Sequence, residues 1–222
     1  MTADAGVPEA PEGSAAHRGA EAKLRRVDWW GFPALVKERD SKSYRPKALD
    51  ERLRRERTRT ETRLLVDARR LGVRTPILYD IDLVHHRLTL EEIPGPTLKE
   101  LLEDPALAPA DLDTAMHAFG KALGRLHAGG LSHGDLTSSN VLFPDGACGA
   151  PAFLDLSMGS RSPGVEELGI DLHLVEEDLK ALHPKADGLF RRFLDGYDEG
   201  NPVGAKDVRQ RAREIRGRIR YA

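Results

Sequence analysis

Residues 133–155, HGDLTSSNVLFPDGACGAPAFLD, restrict the fold more than any other stretch of the chain. Val141, Leu142 and Phe143 form a short apolar run. Pro144, Asp145 and Gly146 supply turn chemistry, and Ala152, Phe153 and Leu154 form a second run, a pattern that predicts a hairpin. Antiparallel pairing sets the residue before the first strand beside the residue after the second, so Asn140 and Asp155 are expected as neighbours at one mouth. Asp135, in the polar loop before Asn140, is placed to hang over that mouth. Two oxygen ligands for a hard divalent cation, plus a carboxylate that orients a hydroxyl or a water, are the minimum set for metal-assisted phosphoryl transfer.

A chain of 222 residues has room for one large domain or two small lobes with real cores. A net charge of -2 and an apolar fraction of 40% describe a soluble globular protein with no global field demanding a nucleic-acid partner. The single cysteine, Cys148, excludes an internal disulfide framework and suits a reducing compartment. No stretch approaches the roughly 18 apolar residues of a membrane span, and the acidic start lacks the basic and apolar regions of a signal peptide. A cytoplasmic location without membrane contact is expected. Residues 1–15, MTADAGVPEAPEGSA, have too little to bury to offset their ordering entropy and are expected to be disordered.

Residues 17–39 carry Leu24, Val27, Trp29, Trp30, Phe32, Leu35 and Val36 with breaks at Asp28 and Gly31, predicting two or three strands. Gly19, Ala20, Glu21 and Ala22 form a small-residue turn at their entrance, ordinary by itself. Lys37 closes the run Ala34, Leu35, Val36. There it either snorkels to water or aims a compact cation at phosphate oxygens. Residues 46–71 predict a long helix whose apolar stripe includes Leu53, Leu64, Leu65 and Ala68. Glu61 falls on the inward side, where a carboxylate needs a cation; Lys37 is one candidate, and Arg57 one turn back is the other. The same helix is rich in arginine, either a solvated face or a track for RNA phosphate.

Beyond Gly72, a strand pair is expected over 77–82 and 87–93 with His85 and His86 in the turn. If extended, the two imidazoles face opposite ways and make no metal site. Glu91, Glu92, Ile93, Pro94 and Gly95 then read as a connector whose backbone groups, at Glu91 and Ile93, could meet a planar base. Helices are expected over 98–103, 111–128, 165–182, 186–197 and 205–216, before a basic end containing Arg216, Arg218 and Arg220.

Lys37, Glu61, the His133-Gly134-Asp135 loop with Asn140, and Asp155 stand in the order used by protein-kinase folds. The stretches VKER from Val36, KSYR from Lys42, Leu49-Asp50, ERTRTE from Glu56, GVRTP from Gly72 and HGDLTSSN from His133 closely resemble the small atypical serine/threonine kinase subunit of the KEOPS tRNA-modification complex. The resemblance covers about 19–220. It implies a reduced two-lobe α+β fold, with a sheet-rich N-lobe over 16–93, a helical C-lobe over 94–215, a basic tail over 216–222, and ATP with Mg2+ between the lobes. It also implies roles. Lys37 would hold the α and β phosphates, Glu61 would orient Lys37, and Asp135 would be the base or water-orienting group. Asn140 and Asp155 would hold the metal, Asp171 would brace the loop, and Gly19, Ala20, Glu21 and Ala22 would replace a glycine-rich loop. The implied partners are the threonylcarbamoyladenosine synthase subunit, other KEOPS-type subunits, and tRNA through the basic helix and tail.

This chain departs from ordinary protein kinases at Asp155-Leu156-Ser157, which lacks the Phe packing and the Gly hinge, and at Thr137, where lysine is common. The short interval before Asp171 leaves little room for a peptide-docking platform. An ATPase cycle coupled to a partner, with autophosphorylation or serine/threonine kinase activity beside it, fits that brevity. Two alternatives stand beside it: a small-molecule phosphotransferase of the aminoglycoside-kinase type, and a catalytically silent kinase-fold scaffold.

Overall fold

The structure is a computed structural model that describes residues 17–18, 22–183 and 186–219. The expectations for 1–15, for Gly19, Ala20 and Glu21, and for the end from Arg220 fall outside the described residues. The fold is α+β, with an antiparallel sheet in one region and helices in the other. Two compact units divide the chain, one from residues 1–62 with 77–92 and one from 63–76 with 93–222.

The first unit is built on five antiparallel strands: β1 (His17–Arg18), β2 (Ala22–Trp29), β3 (Phe32–Arg39), β4 (Leu78–Asp82) and β5 (Arg87–Glu91). Their order is β1-β2-β3-β5-β4, with β3 in the centre. Trp29 pairs with Phe32, so the β2-β3 loop has two residues. Trp30 and Gly31 both have positive φ, 54° and 84°, as a primed hairpin turn requires, because only that turn matches the right-handed twist of the strands. The Asp28 carboxylate accepts the Gly31 N–H at 2.8 Å and pins the turn. Val27, Ala34 and Val36 bury one face with Trp29 and Tyr79 against them. The β4-β5 turn holds His85 and His86, as the sequence indicates. His86 adopts φ 57° and is buried, whereas His85 stays exposed with its Nδ1 2.6 Å from Asp82.

Helix α1 spans Lys47–Arg70, with Asp50 in its first turn and Arg69 and Arg70 in its last, each complementing the helix dipole. Gly72, at φ 74°, ends it in a Schellman arrangement: Val73 N–H donates to Ala68 O and Gly72 N–H to Arg69 O.

The second unit contains α2 (Leu98–Glu103), α3 (Pro109–Ala128), a single 3-10 turn (Ser138–Asn140), β6 (Val141–Leu142), β7 (Ala152–Phe153), α4 (Val165–Leu182), α5 (Ala186–Gly200) and α6 (Ala205–Ile219). Helices α3 and α5 touch backbone to backbone. A Cβ at Gly120 would fall 1.8 Å from Phe193 O, and one at Gly196 2.0 Å from His117 O. Phe119 fills the adjoining core, 4.8 Å from Phe193 and 5.9 Å from Phe153 between ring centroids. Each such buried ring stabilises the fold by about 1.5–3 kcal/mol. Two helices run further than their apolar patterns indicate, α5 to Gly200 and α6 to Ile219. Arg216 and Arg218 therefore sit in a helical last turn, paired with Glu176 at 2.5 Å and Glu166 at 2.7 Å.

Candidate active site

In the sheet unit, β3 carries Lys37 paired on both sides, opposite Leu24 and Leu88. Strand periodicity puts Arg39 on the same face as Lys37. Glu61, on α1, meets both: Lys37 Nζ donates to Oε1 at 2.7 Å and Arg39 donates to Oε2 at 2.5 Å. Exposure of the three is 6%, 4% and 1% respectively. A buried carboxylate is costly unless charge and hydrogen bonds compensate it, and here each oxygen has its own cation. Lys37, one of the two cations considered for Glu61, meets it, and Arg39 joins it. The i, i+2 spacing of Lys37 and Arg39 was the available signal for the second. Ala22, the described part of the entrance turn, opens β2 and is buried. Glu91 ends β5, where its N–H donates to Ile77 O at 2.8 Å and its carboxylate accepts the Ile77 N–H at 3.0 Å.

In the helical unit, α3 stops at a second Schellman arrangement. Gly130 has φ 75°, Leu131 N–H donates to Leu126 O, and Gly130 N–H donates to His127 O. The chain then enters the polar loop. Asp171, fully buried on α4, accepts the N–H groups of His133 at 2.7 Å and Gly134 at 2.8 Å. Behind it runs a relay the sequence pattern did not disclose. Asn201 Nδ2 donates to Tyr197 Oη at 3.3 Å, the Tyr197 hydroxyl lies 2.8 Å from His127 Nδ1, and His127 Nε2 lies 3.1 Å from Asp171. With Asn201 donating, the hydroxyl proton is directed to Nδ1, which leaves Nε2–H to donate to Asp171. Burial raises the Tyr197 pKa and keeps the phenol protonated. Burial alone would also raise the Asp171 pKa, but the hydrogen bonds from His127 and from the His133 N–H outweigh that, and the carboxyl is held below its usual range.

His133 fixes the other side of the loop. Its Nε2 lies 2.9 Å from Leu154 O, and its Nδ1 lies 3.3 Å from the Asp135 N–H. A carbonyl can only accept, so Nε2 carries the proton and Nδ1 accepts, which is the neutral ring. Burial lowers the His133 pKa in the same sense, against the pull of Asp171, Asp155 and Asp135. Gly134 supplies φ 80°, and a Cβ there would fall 2.1 Å from Met158 O.

The expected hairpin forms from two residues on each side, Val141 with Phe153 and Leu142 with Ala152. Phe143 and Leu154 lie outside it, because Phe143 N–H donates to Pro96 O instead. Arg74 and Thr97 bridge to Ala152 and Leu142, so neighbouring chain braces the short ribbon. Ile93 is buried there with Leu142, Ala152 and Leu154. Leu154 N–H donates to Asn140 O at 2.9 Å, which sets Asp155 one residue beyond the register partner of Asn140. Asp155 has φ 52°, a left-handed conformation that Asp tolerates better than most residues, and its Oδ1 accepts the Ser157 N–H at 3.4 Å. Asn140 Nδ2 donates to Asp135 O at 2.8 Å. The nitrogen of the amide is thereby committed, and its Oδ1 is the atom that remains to meet a cation. Asn140 and Asp155 are half-buried and Asp135 is exposed. Amide and carboxylate oxygens of this kind fit a hard cation such as Mg2+.

No family model matches the chain. It is 38% identical over 92% of its length to a protein of Methanothermobacter thermautotrophicus, of which it covers 36%. It is 39% identical over 96% of its length to one of Methanosarcina acetivorans, covering 36% of it. It is 40% identical over 92% to one of Methanoculleus marisnigri, covering 35%. Each of the three is named "Probable bifunctional tRNA threonylcarbamoyladenosine biosynthesis protein". The chain thus spans about a third of the length of these relatives.

Proposed function

We propose that the chain, a member of the small atypical kinase family that its motifs resemble, binds Mg-ATP and hydrolyses it in support of the tRNA modification for which its relatives are named. The observation that carries the reading is the Asp135-Asn140-Asp155 arrangement on a loop whose backbone Asp171 holds.

In this reading Lys37, oriented by Glu61, offers its ammonium to the α and β phosphates. Asn140 Oδ1 and the Asp155 carboxylate would hold Mg2+, which would neutralise developing phosphate charge. Asp135, exposed and unencumbered by burial, accepts the proton of the attacking water or hydroxyl as its oxygen bonds to the γ phosphorus and the bond to the β–γ bridging oxygen breaks. When a serine or threonine hydroxyl replaces water, the same group serves autophosphorylation or serine/threonine kinase activity. The tRNA threonylcarbamoyladenosine synthase subunit and other KEOPS-type subunits are the proposed protein partners, tRNA the proposed nucleic acid, and the cytoplasm the proposed location. Among the described residues no helix is long and apolar enough to cross a membrane.

The test is ATP turnover by wild type and Asp135→Asn, each with and without the synthase subunit and tRNA. The proposal expects turnover that rises with both additions and falls at least about a hundredfold in the variant, the upper range for loss of a general base being larger still. Equal turnover in the two proteins would remove Asp135 from the chemistry. A second reading, a silent scaffold, is favoured by Leu156, which is fully buried, and by Ser157, whose N–H is tied to Asp155; the two fix the segment where ordinary kinases keep a Gly hinge. Intact complex assembly without Mg-ATP binding would establish that reading instead.

A further inference from the structure

A second charged constellation lies in the sheet unit. Arg39, Lys42, Arg45, Arg54 and Arg57 line one recess, together with Asp40 and Leu53. The wall is built rather than incidental. Asp50, 3% exposed, accepts Lys42 N–H at 3.2 Å and Arg54 Nε at 2.8 Å, and stands 3.8 Å from Arg45. These contacts hold the segment after β3 against the first turns of α1. Burial raises the Asp50 pKa, but the Lys42 N–H, Arg54 and Arg45 outweigh it and leave the carboxyl below its usual value. Arg39 in turn reaches Glu61, and Asp40 faces Lys23 at 2.8 Å. None of these cations is idle, yet five cationic side chains line the recess with one carboxylate, Asp40.

We propose that this recess binds one backbone phosphate of tRNA and that Arg39 links the bound phosphate to Glu61. The inference rests on the tRNA reading above and adds to it the place of contact. The volume of the recess, about 10 Å3, admits one oxygen-sized group. It therefore suits a phosphate oxygen, with the rest of the phosphate at the mouth, and is too small for a base. Planar arginines suit the tetrahedral anion, since each can offer two N–H groups to adjacent oxygens. Arg39, one of the lining cations, also holds Glu61, whose other oxygen holds Lys37. A phosphate that draws on Arg39 shifts the share of Glu61 left to Lys37, so tRNA and nucleotide binding are coupled, and by linkage each changes the affinity of the other by one factor.

The experiment measures binding of fluorescent tRNA to the full chain across a salt series, for wild type, Arg57→Gln, Arg57→Lys and Arg52→Gln. Arg52 is exposed on the same helix, paired with Glu56, and does not line the recess. Circular dichroism checks that each variant is folded. Arg57→Gln is expected to weaken binding about tenfold and to reduce the salt slope by about one, with Arg57→Lys close to wild type and Arg52→Gln nearly unchanged. Equal losses in Arg57→Gln and Arg52→Gln would overturn the recess in favour of a diffuse basic face. No loss in Arg57→Gln, with wild type binding well, would overturn it outright. If wild type fails to bind tRNA at all, the tRNA reading itself falls and this inference with it. A phosphoserine peptide that binds wild type, loses affinity in Arg57→Gln and outcompetes tRNA would overturn the RNA assignment.

Discussion

Glu61 and Asp171 are both buried carboxylates, and they are neutralised in different ways. Glu61 is matched by side chains, with an ammonium on one oxygen and a guanidinium on the other. Asp171 is matched by two backbone N–H groups, with the neutral relay of His127, Tyr197 and Asn201 behind it. Side-chain cations can trade partners, as Lys37 must if it is to meet a phosphate. Backbone donors cannot leave, so Asp171 holds its loop in one shape. The sheet unit thus carries an adjustable charge set and the helical unit a fixed one.

The largest effect should come from breaking the adjustable set. Glu61→Ala leaves Lys37 and Arg39 buried and facing each other, and should destabilise the protein by about 3–5 kcal/mol, read from denaturant midpoints. Glu61→Gln, which keeps an acceptor, should lose less. A cost of Glu61→Ala below about 1 kcal/mol would mean that water reaches the pair and that the contrast with Asp171 is false. Asp171→Ala strips the acceptor from two N–H groups and from His127, at a cost of about 3 kcal/mol. Amide exchange at His133 and Gly134 should speed up in that variant while exchange in β3 stays as in wild type. Gly134→Ala forces a side chain into a left-handed position against Met158 O and should cost about 2 kcal/mol. An Ala at Gly31, which has open space for a Cβ, should cost less, about 1 kcal/mol from its φ alone.

The smallest effect is with pH. His133 and His86 both have pKa values lowered by burial, with Arg54 adding to the effect at His86. The unfolded chain takes up protons near the ordinary histidine value while the folded one does not, so stability is full above about pH 6.5 and declines as pH falls below it. Melting temperature should drop by about 2–4 °C per kcal/mol lost between pH 7.5 and 5.5. His133→Asn should flatten that slope, whatever it does to stability at pH 7.5. A slope unchanged in both His133→Asn and His86→Asn would assign it elsewhere.

Most of the helices were legible because their apolar stripes recur at helical spacing and glycines close them, as at Gly72 and Gly130. The central hairpin was legible as an idea but was shorter than its apolar runs, since Phe143 exchanges its expected partner for Pro96, a contact from distant chain that no local pattern encodes. The same limit hid the support of the loop. Asp171 lay on a predicted helix, but His127 and Tyr197 lie near the ends of two other expected helices and Asn201 lies beyond them, where no local pattern marks it. Arg39 could have been found from its spacing to Lys37. Arg216 and Arg218 read as a free basic end because their partners, Glu176 and Glu166, sit far back on α4.

The central claim is that Asn140 and Asp155 hold the metal of a bound nucleotide. Calorimetric titration of ATP into wild type and Asp155→Ala, with and without magnesium, tests it most directly. The account predicts that magnesium tightens ATP binding to wild type and that this gain vanishes in Asp155→Ala, while the weaker, metal-free affinity supplied by Lys37 remains. An equal magnesium-dependent gain in both proteins would contradict it.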